Sequence, residues 1–515
     1  MTARLFGALL ALTLAFRFWL ASSFPMTGDE AYFITWGLQP DWGFYDHPPM
    51  VGWWLAVLLQ FSQSEWWLRL PVILQPSLLA LAIHGALPHL VRGVSADRRY
   101  WIALLVLLAP VNVWNIFITT DTPLIYFSVL SALAWLRAAQ EKPADGMRWY
   151  LLAGVLLAGA VLSKFFAAIL GFAYLVDVLL RRSRSSFFGL AVAYVCTVPA
   201  LALMVWWNAG HCWPNYMFNF VNRHGDAGFS LTSPLLYGVT LLYMLSPPVL
   251  WLAVKSRRWG YGEIRGEIRG EISRELSIPA LNVLAWVPLA LFALLSLVKS
   301  VGLHWLLSFV PLVLVWTALR LPQQSLRRVG LFFTAFATLH MVAIFAVSRV
   351  PLETWQRTKL YDGIVLTFEH QAIAQALEPY RKDWVLAMDG YSNAATLAHN
   401  LRQRVIVFGE GSTYARQDDS LTDFSALSGR NILILTKSVT QPADYAHFFE
   451  RLTVDSFEVR GARFWRVKGE GFKFPVYRDE VLTTVRNRYY AIPSWLPQTA
   501  CKLCDRYFPG SPCQR

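Results

Sequence analysis

Charge is what this chain has least of. Only 15% of its 515 residues are Asp, Glu, Lys or Arg, against 55% hydrophobic residues, and the mean hydropathy is +0.39. So little charge cannot cover the surface of a soluble protein of this length, which leaves a polytopic membrane protein. Acid is scarcer than base, 33 residues against 46 for a net charge of +13, a balance that raises nucleic acid as a partner. The placement of the base excludes it: Lys and Arg sit in short clusters between apolar segments rather than along one face or tail, which is the pattern of membrane topology. No nucleotide-binding loop is visible. The glycine-containing run Phe408 to Asp419, FGEGSTYARQDD, lacks the spacing of any phosphate-binding loop and reads as a surface loop after a strand.

Cysteine is also rare, with five in all. Cys196 and Cys212 fall within or beside apolar segments, and Cys501, Cys504 and Cys513 close the chain. A lone CxxC with a third cysteine nine residues on is compatible with zinc or redox cycling. No histidine cluster lies nearby and no βαβ unit opens there, so the expectation is a disulfide clamping the tail in an oxidising compartment.

What the chain has in abundance is apolar runs of roughly 17 to 25 residues, the length that crosses a bilayer. They fall near residues 5–23, 70–91, 101–118, 122–138, 149–162, 165–180, 187–207, 235–254, 279–298, 303–319 and 329–349. About eleven spans are therefore expected. The fifth and sixth are separated only by Ser163 and Lys164, and charge decides whether they are one helix or two. With Arg4 inside, clusters such as Arg92, Arg98 and Arg99, Arg181, Arg182 and Arg184, and Arg320, Arg327 and Arg328 all fall on the cytoplasmic side. Fusing the two spans would flip every later cluster to the wrong side. A cleaved signal peptide at residues 1–23 is disfavoured by Arg17 inside the apolar run and by the ten further spans.

The domain expectation is a membrane domain over 1–349 and an extracytoplasmic α/β domain with a cysteine-containing tail over 350–515. In the latter, Trp384–Ala387, Val405–Phe408 and Asn431–Thr436 read as buried strands and Ser456–Val467 as a hairpin or edge strand. Helices are expected near Glu369–Tyr380 and Ser392–Leu401. The loop Gly262–Leu276 repeats Glu and Arg with period four, GEIRGEIRGEISREL, and reads as a solvated surface.

The chemistry is then sought in the outward loops. The first, Phe24 to Arg69, is rich in Trp and Tyr and holds two amphipathic stretches, Ala31–Leu38 and Val51–Phe61, suited to the membrane interface. It also carries Asp29 and Glu30 just before the first stretch, and both have a plain reading as helix-capping acids. The second outward turn places Asp121 between two spans with almost no loop. The third buries Lys164, which has a snorkelling alternative. The fourth holds His211, Arg223 and His224 among aromatics, and the fifth Lys299 and His304. The cations suit an anionic headgroup; His211 and His224 rank lower, because a loop histidine beside aromatics is more often packed than functional.

DEAYF, YDHPP, TTDTP, LSKF, WWNAGH and then His304-Trp305 before a span, in that order over residues 1–320, resemble the dolichyl-phosphate-mannose-protein mannosyltransferase type of membrane glycosyltransferase. This PMT/aminoarabinose-transferase-like group includes bacterial relatives that modify lipid A or other glycans. The resemblance implies a GT-C fold: an α-helical polytopic bundle with its catalytic cavity at the outer face. It also implies a polyprenyl-phosphate sugar as donor. Asp29 matches the position of the base that deprotonates the acceptor hydroxyl, Glu30 stands beside it as a supporting group, and Asp121 matches the second acidic position. Asp29 and Asp121 are also the candidates for a divalent cation, Mg or Mn, whose shell substrate phosphate and water would complete. His47 stands where several relatives carry Lys, and a histidine is a cation at neutral pH only beside an anion. Lys164, Arg223 and His304 are the other donor-phosphate candidates.

The resulting expectation is an inverting glycosyltransferase of the bacterial inner membrane, multi-pass, with a cytoplasmic N-terminus and a periplasmic or extracellular C-terminal domain. Its partners are the lipid-linked donor, membrane lipids, and a lipid, glycan or protein acceptor, with no nucleic acid and no nucleotide cofactor. The alternative is a lipid-linked-sugar flippase or transporter, which predicts midplane charges, broken helices and repeated spans. Charges instead concentrate at the outer loops and no repeat is evident. Arg17 and Asp177 are the exceptions, each within reach of an interface.

Overall fold

The computed structural model describes residues 2–224, 228–258, 278–438, 441–497, 499–510 and 513; the period-four loop Gly262–Leu276 lies outside them. The described chain packs as two compact units. One comprises Met1–Ser23, Trp66–Ala202 and Ala227–Ser348, the other Phe24–Glu65, Leu203–Asp226 and Arg349–Arg515.

The first unit is helical. Helices occur at each of the eleven apolar runs, and among the described residues five are long and apolar enough to cross a membrane: Thr2–Ser23, Leu70–Leu90, Arg184–Ala209, Pro279–Ser296 and Gln323–Ser348. The others are shorter, more polar or broken. Breaks coincide with Pro110, which opens the helix Pro110–Trp114 after Ala96–Leu107, and with Pro247, which opens Pro247–Arg258 after Thr232–Leu245. Proline cannot donate into the preceding turn, so each one starts a helix rather than continuing it.

The fifth and sixth runs are separate helices, Pro143–Val161 and Ala167–Arg181. A side-chain carbon built on Gly171 lies 3.9 Å from Leu157, whereas fourteen residues of continuous helix would hold the two about 21 Å apart. The chain therefore doubles back at Ser163-Lys164.

The two charges inside apolar runs, Arg17 and Asp177, have partners within this unit. Arg17, 0% exposed, donates to the Asn112 carbonyl at 3.1 Å and the Ser77 hydroxyl at 3.3 Å. Asp177 accepts from the Trp135 indole at 2.8 Å and pairs with Arg181. A buried charge without such partners would cost several kcal/mol. Small residues bring helices together: a Cβ at Gly154 would lie 2.6 Å from the Ala193 Cα and 2.7 Å from its carbonyl oxygen.

The second unit joins the loop of residues 24–65 and residues 203–226 to the C-terminal segment. In the loop, Thr27 caps the helix Gly28–Leu38, and a second helix, Met50–Leu59, covers most of the expected stretch Val51–Phe61 but is apolar throughout rather than amphipathic. The C-terminal segment builds a five-stranded sheet: β1 (Val385–Met388), β2 (Val405–Val407), β3 (Ile432–Thr436), β4 (Phe449–Val459) and β5 (Ala462–Phe472), in the order β2-β1-β3-β5-β4. β1 runs parallel to β2 and β3, and β5 is antiparallel to β3 and β4. β1, the helix Tyr391–Leu401 and β2 make a parallel crossover. Ser456–Val467 falls within the long β4–β5 hairpin, whose turn residues Arg460 and Gly461 both have positive φ, 51° and 80°, as a tight hairpin turn demands.

Two disulfides pin the tail. Cys504 pairs with Cys513, while Cys501 pairs with Cys212 in the fourth outward segment; Cys196 is free. Three cysteine sulfurs, of Cys501, Cys504 and Cys513, lie within 4.8 Å of one another, but disulfide sulfurs have no thiolate to give a metal.

Two outcomes test this packing. Gly154→Ala sets a side chain against backbone that cannot yield, so the thermal-aggregation midpoint of the detergent-solubilised protein falls, with a loss of about 1–3 kcal/mol. Non-reducing peptide mapping recovers Cys212 linked to Cys501, and Cys212→Ser lowers stability by about 2–5 kcal/mol.

Candidate functional site

The sequence candidates divide between the two units. In the second unit, Asp29 lies in the first turn of Gly28–Leu38, where the helix dipole favours a carboxylate. It stays exposed to solvent, yet the protein around it strips enough water to push its carboxyl above the ordinary aspartate value, with added repulsion from Asp46 and Glu30. One contact works the other way: the Tyr391 hydroxyl donates to Asp29 Oδ1 at 2.9 Å and favours the ionised form.

Glu30 has a different environment. It is 0% exposed, and its Oε2 accepts from the Thr27 amide at 3.0 Å and the Thr27 hydroxyl at 3.1 Å. The Thr27 hydroxyl in turn accepts from the Glu30 amide at 3.4 Å, closing a capping box. Adjacent acids thus point in different directions, one outward and one into the cap.

The YDHPP turn is held by two asparagines one helical turn apart. Asn215 Nδ2 donates to the carbonyls of Phe44, Tyr45 at 3.2 Å and His47 at 3.4 Å, and Asn219 Nδ2 donates to the Asp46 carbonyl at 3.0 Å. His47 Nδ1 lies 3.5 Å from Asp46 Oδ2, and the Tyr32 hydroxyl donates to Asp46 Oδ1 at 3.4 Å. Arg223 donates to Asn219 Oδ1 at 3.4 Å and lies over the Phe218 ring at 5.3 Å, close enough to Asp46 to feel its charge. Asp29, His47 and Arg223 therefore surround Asp46 within one unit.

Sequence reasoning misses four members of this cluster, Asp46, Asn215, Asn219 and Tyr391. Asp46 sat in a quoted motif without a role, and the i, i+4 spacing of Asn215 and Asn219 was a legible signal for one helix face. Tyr391 had no signal at all, because nothing in a helix start following a strand announces a partner more than 360 residues away.

The segment Phe408–Asp419 contributes to the same unit. Gln417 accepts from the Tyr45 amide at 2.8 Å and donates its own amide to the Tyr32 hydroxyl at 3.2 Å. Arg416 is consumed internally by Asp419 at 2.7 Å and by the Glu410 and Ser412 carbonyls. A cavity of about 250 Å³ nearby in the chain fold is lined by Asp41, Tyr45, His211, Gln417, Asp419 and Lys502 among others; none of Asp29, Glu30, His47 or Arg223 lines it. His211 stacks on Trp207 at 4.4 Å and bonds its carbonyl through Nδ1 at 2.7 Å, the packed state anticipated for it. His224 ends the turn Asn222–His224.

In the first unit, Asp121 and Lys164 meet. Lys164 Nζ donates to both Asp121 oxygens, at 2.9 and 2.8 Å, with the two residues 3% and 7% exposed. The lysine is placed by the break between Pro143–Val161 and Ala167–Arg181, and its ammonium lies 5.5 Å from the Phe166 ring centre. His304 is exposed in the turn Leu303–Leu306, edge-on to Trp305. An ammonium bonded to both oxygens leaves Asp121 a poor ligand for a divalent cation, since the cation would meet the lysine charge.

Residues 46–207 match the family described as dolichyl-phosphate-mannose-protein mannosyltransferase. The lipid A galacturonosyltransferase RgtD of Rhizobium johnstonii is 28% identical over 193 residues, 36% of this chain and 38% of that protein, so the match spans well under half the length of that relative. ArnT from Cupriavidus metallidurans bound to undecaprenyl phosphate superposes with a TM-score of 0.62 at 16% identity, covering 89% of this chain and 97% of that one. Its apo state gives 0.59 with the same identity and coverage. At that identity the likeness is one of fold.

The ion pair gives a direct test. Lys164→Ala strands a buried carboxylate and lowers stability by about 3–5 kcal/mol, while Lys164→Met combined with Asp121→Leu recovers most of the loss; thermal unfolding of the detergent-solubilised variants measures both.

Proposed function

We infer that this chain, a PMT- and ArnT-like protein of GT-C fold, is an inverting glycosyltransferase of a bacterial inner membrane. It moves a sugar from a polyprenyl-phosphate donor to a hydroxyl of an envelope glycolipid, glycan or protein at the outer face. The donor class is supported by the undecaprenyl phosphate bound to the ArnT of like fold, and a lipid A-type acceptor by the name of the curated relative. About eleven spans, an inside N-terminus and an outside C-terminal domain follow from the charge pattern, and the two disulfides agree with an oxidising outer compartment.

The observation that carries this reading is the Asp29 carboxylate: solvent-facing, raised toward the proton affinity a base needs, and oriented by a hydroxyl. In the transfer, Asp29 takes the acceptor hydroxyl proton as the oxygen forms its bond to the anomeric carbon. The carbon–oxygen bond to the donor phosphate breaks on the opposite face, and the phosphate leaves with the electron pair. Negative charge grows on that phosphate, and His47 and Arg223, in the same unit as Asp29, are the cations suited to meet it. Lys164 and His304 are the corresponding candidates of the other unit, with the Lys164 charge shared with Asp121. Glu30 supports the base by fixing the start of its helix. With both oxygens bonded to Lys164, Asp121 fits a cation poorly, and no step of the transfer passes through a metal.

Mass analysis of envelope glycolipids and glycoproteins from cells with and without the gene identifies the product, and Asp29→Asn lowers its formation by about 10²–10⁴-fold at unchanged protein abundance. Because burial raises the Asp29 carboxyl, the rate falls on acidification at a higher pH than an ordinary aspartate would set. Normal product from Asp29→Asn, or no difference between cells with and without the gene, would overturn the assignment.

A further inference from the structure

The C-terminal sheet has a topological switch point, and the helix that follows β1 there packs against the start of the helix that bears Asp29. β1 is flanked by β2 on one side and β3 on the other, both parallel to it; the chain leaving β1 runs to β2 and the chain leaving β3 runs to the β5–β4 side, so connections leave the adjacent carboxyl ends of β1 and β3 in opposite directions. In open α/β sheets that place is the crevice where ligands sit. Here the chain leaves β1 through Asp389 and Gly390 and enters the helix at Tyr391. The hydroxyl of Tyr391 reaches Asp29 at 2.9 Å.

Three contacts fix that hydroxyl. The Tyr391 ring packs edge-on against Tyr32, one helical turn beyond Asp29, with centroids 5.4 Å apart. Gly28 abuts Ser392 so closely that a Cβ there would lie 2.0 Å from its Oγ and 2.6 Å from its carbonyl oxygen. Lys437, just beyond β3, donates to Asn393 Oδ1 at 3.0 Å in the same helix. Among the described residues, Tyr391 is the side chain that donates to the Asp29 carboxylate, and it reaches one oxygen only.

We propose that Tyr391 is a positioning residue of the transfer site, holding Asp29 Oδ1 so that Oδ2 is presented to the acceptor hydroxyl. The C-terminal α/β segment then completes the catalytic site instead of serving as an appended domain. This rests on Asp29 as the base. The groups that face Asp29 are Glu30 on its own helix, Asp46 from the YDHPP turn and Tyr391; Asp46 and Tyr414 also reach Tyr391. The carboxylates and burial favour the protonated acid, and the Tyr391 hydrogen bond is what opposes them. Burial and the nearby carboxylates also hold the phenol neutral, so it remains a donor. Removing its hydroxyl raises the Asp29 proton affinity and moves the acidic limb of the rate profile to higher pH.

The experiment uses the purified full-length protein, with the total lipid extract of cells lacking the gene supplying donor and acceptor, and mass spectrometry of product across pH. Tyr391→Phe keeps the ring and its packing. The expected result is a lower rate at neutral pH, an acidic limb displaced upward by about one pH unit, and recovery toward the wild-type rate as pH rises. Site-specific 3-fluorotyrosine at 391, a stronger donor of nearly the same shape, moves the limb the other way. Recovery of the Cys212–Cys501 and Cys504–Cys513 peptides verifies that each variant is folded. An unchanged limb in the fluorotyrosine protein, with or without a rate change in Tyr391→Phe, overturns the inference. Asp29→Asn separates the two claims: full activity there overturns Asp29 as base and this inference with it, whereas an inactive Asp29→Asn beside an unmoved limb overturns only the role of Tyr391. No product from the wild type overturns the glycosyltransferase reading and, with it, this one.

Discussion

Charge that has lost its water must find an answer within the fold, and that requirement organises both units of this protein. A dehydrated ion costs several kcal/mol unless a partner is built beside it. Arg17 takes a carbonyl and a hydroxyl, Asp177 an indole and Arg181, Asp121 both contacts from Lys164, and Arg416 a carboxylate and two carbonyls. The contacts of Arg17, of Trp135 with Asp177 and of Lys164 with Asp121 tie together segments that the sequence separates by 42 residues or more, whereas Arg416 is answered within its own loop. Asp29 is the instructive contrast. It is only partly dehydrated and only partly answered, by one hydroxyl, and it is the residue for which chemistry is proposed.

The neighbouring acids Asp29 and Glu30 show how one helix start separates two roles. Glu30 spends its carboxylate on the Thr27 cap, which fixes where the helix begins. Asp29, a residue earlier, is thereby turned outward. The turn carrying Asp46 and His47 is fixed from the opposite direction by Asn215 and Asn219, and residues 203–226 are bound to the tail through Cys212–Cys501. Asp29, His47, Arg223 and the C-terminal sheet are consequently parts of one packed unit rather than a loop with a distant appendage.

Much of the architecture was legible. Apolar run lengths located helices at all eleven places, and the alternation of basic clusters demanded two helices around Lys164, which the doubling back at Ser163-Lys164 provides. Short apolar runs marked β1, β2 and β3 because a strand buried on both faces needs them. The site was legible in part. Asp29, Asp121 and Lys164 stand out because an ionisable group beside an apolar run is costly and therefore conspicuous. Asp46 and Tyr391 do not, since a tyrosine or an aspartate in a polar segment is unremarkable until its neighbour is known. The cysteines illustrate the same boundary: the spacing points to a disulfide clamping the tail, and two do so, but only the fold shows that Cys504 pairs with Cys513 while Cys501 reaches back to Cys212.

Composition and spacing by themselves determined that this is a membrane-embedded helical chain with an α/β segment at its end, and which acids and cations border the apolar runs. Those properties follow from local transfer free energies, which a sequence carries residue by residue. The tertiary structure decided who meets whom: that Lys164 spends its charge on Asp121, that Glu30 caps while Asp29 faces solvent, and that a tyrosine from a helix of the C-terminal α/β segment lies against the helix Gly28–Leu38. Such pairings depend on the closure of long loops and on three-dimensional packing, which no periodicity encodes.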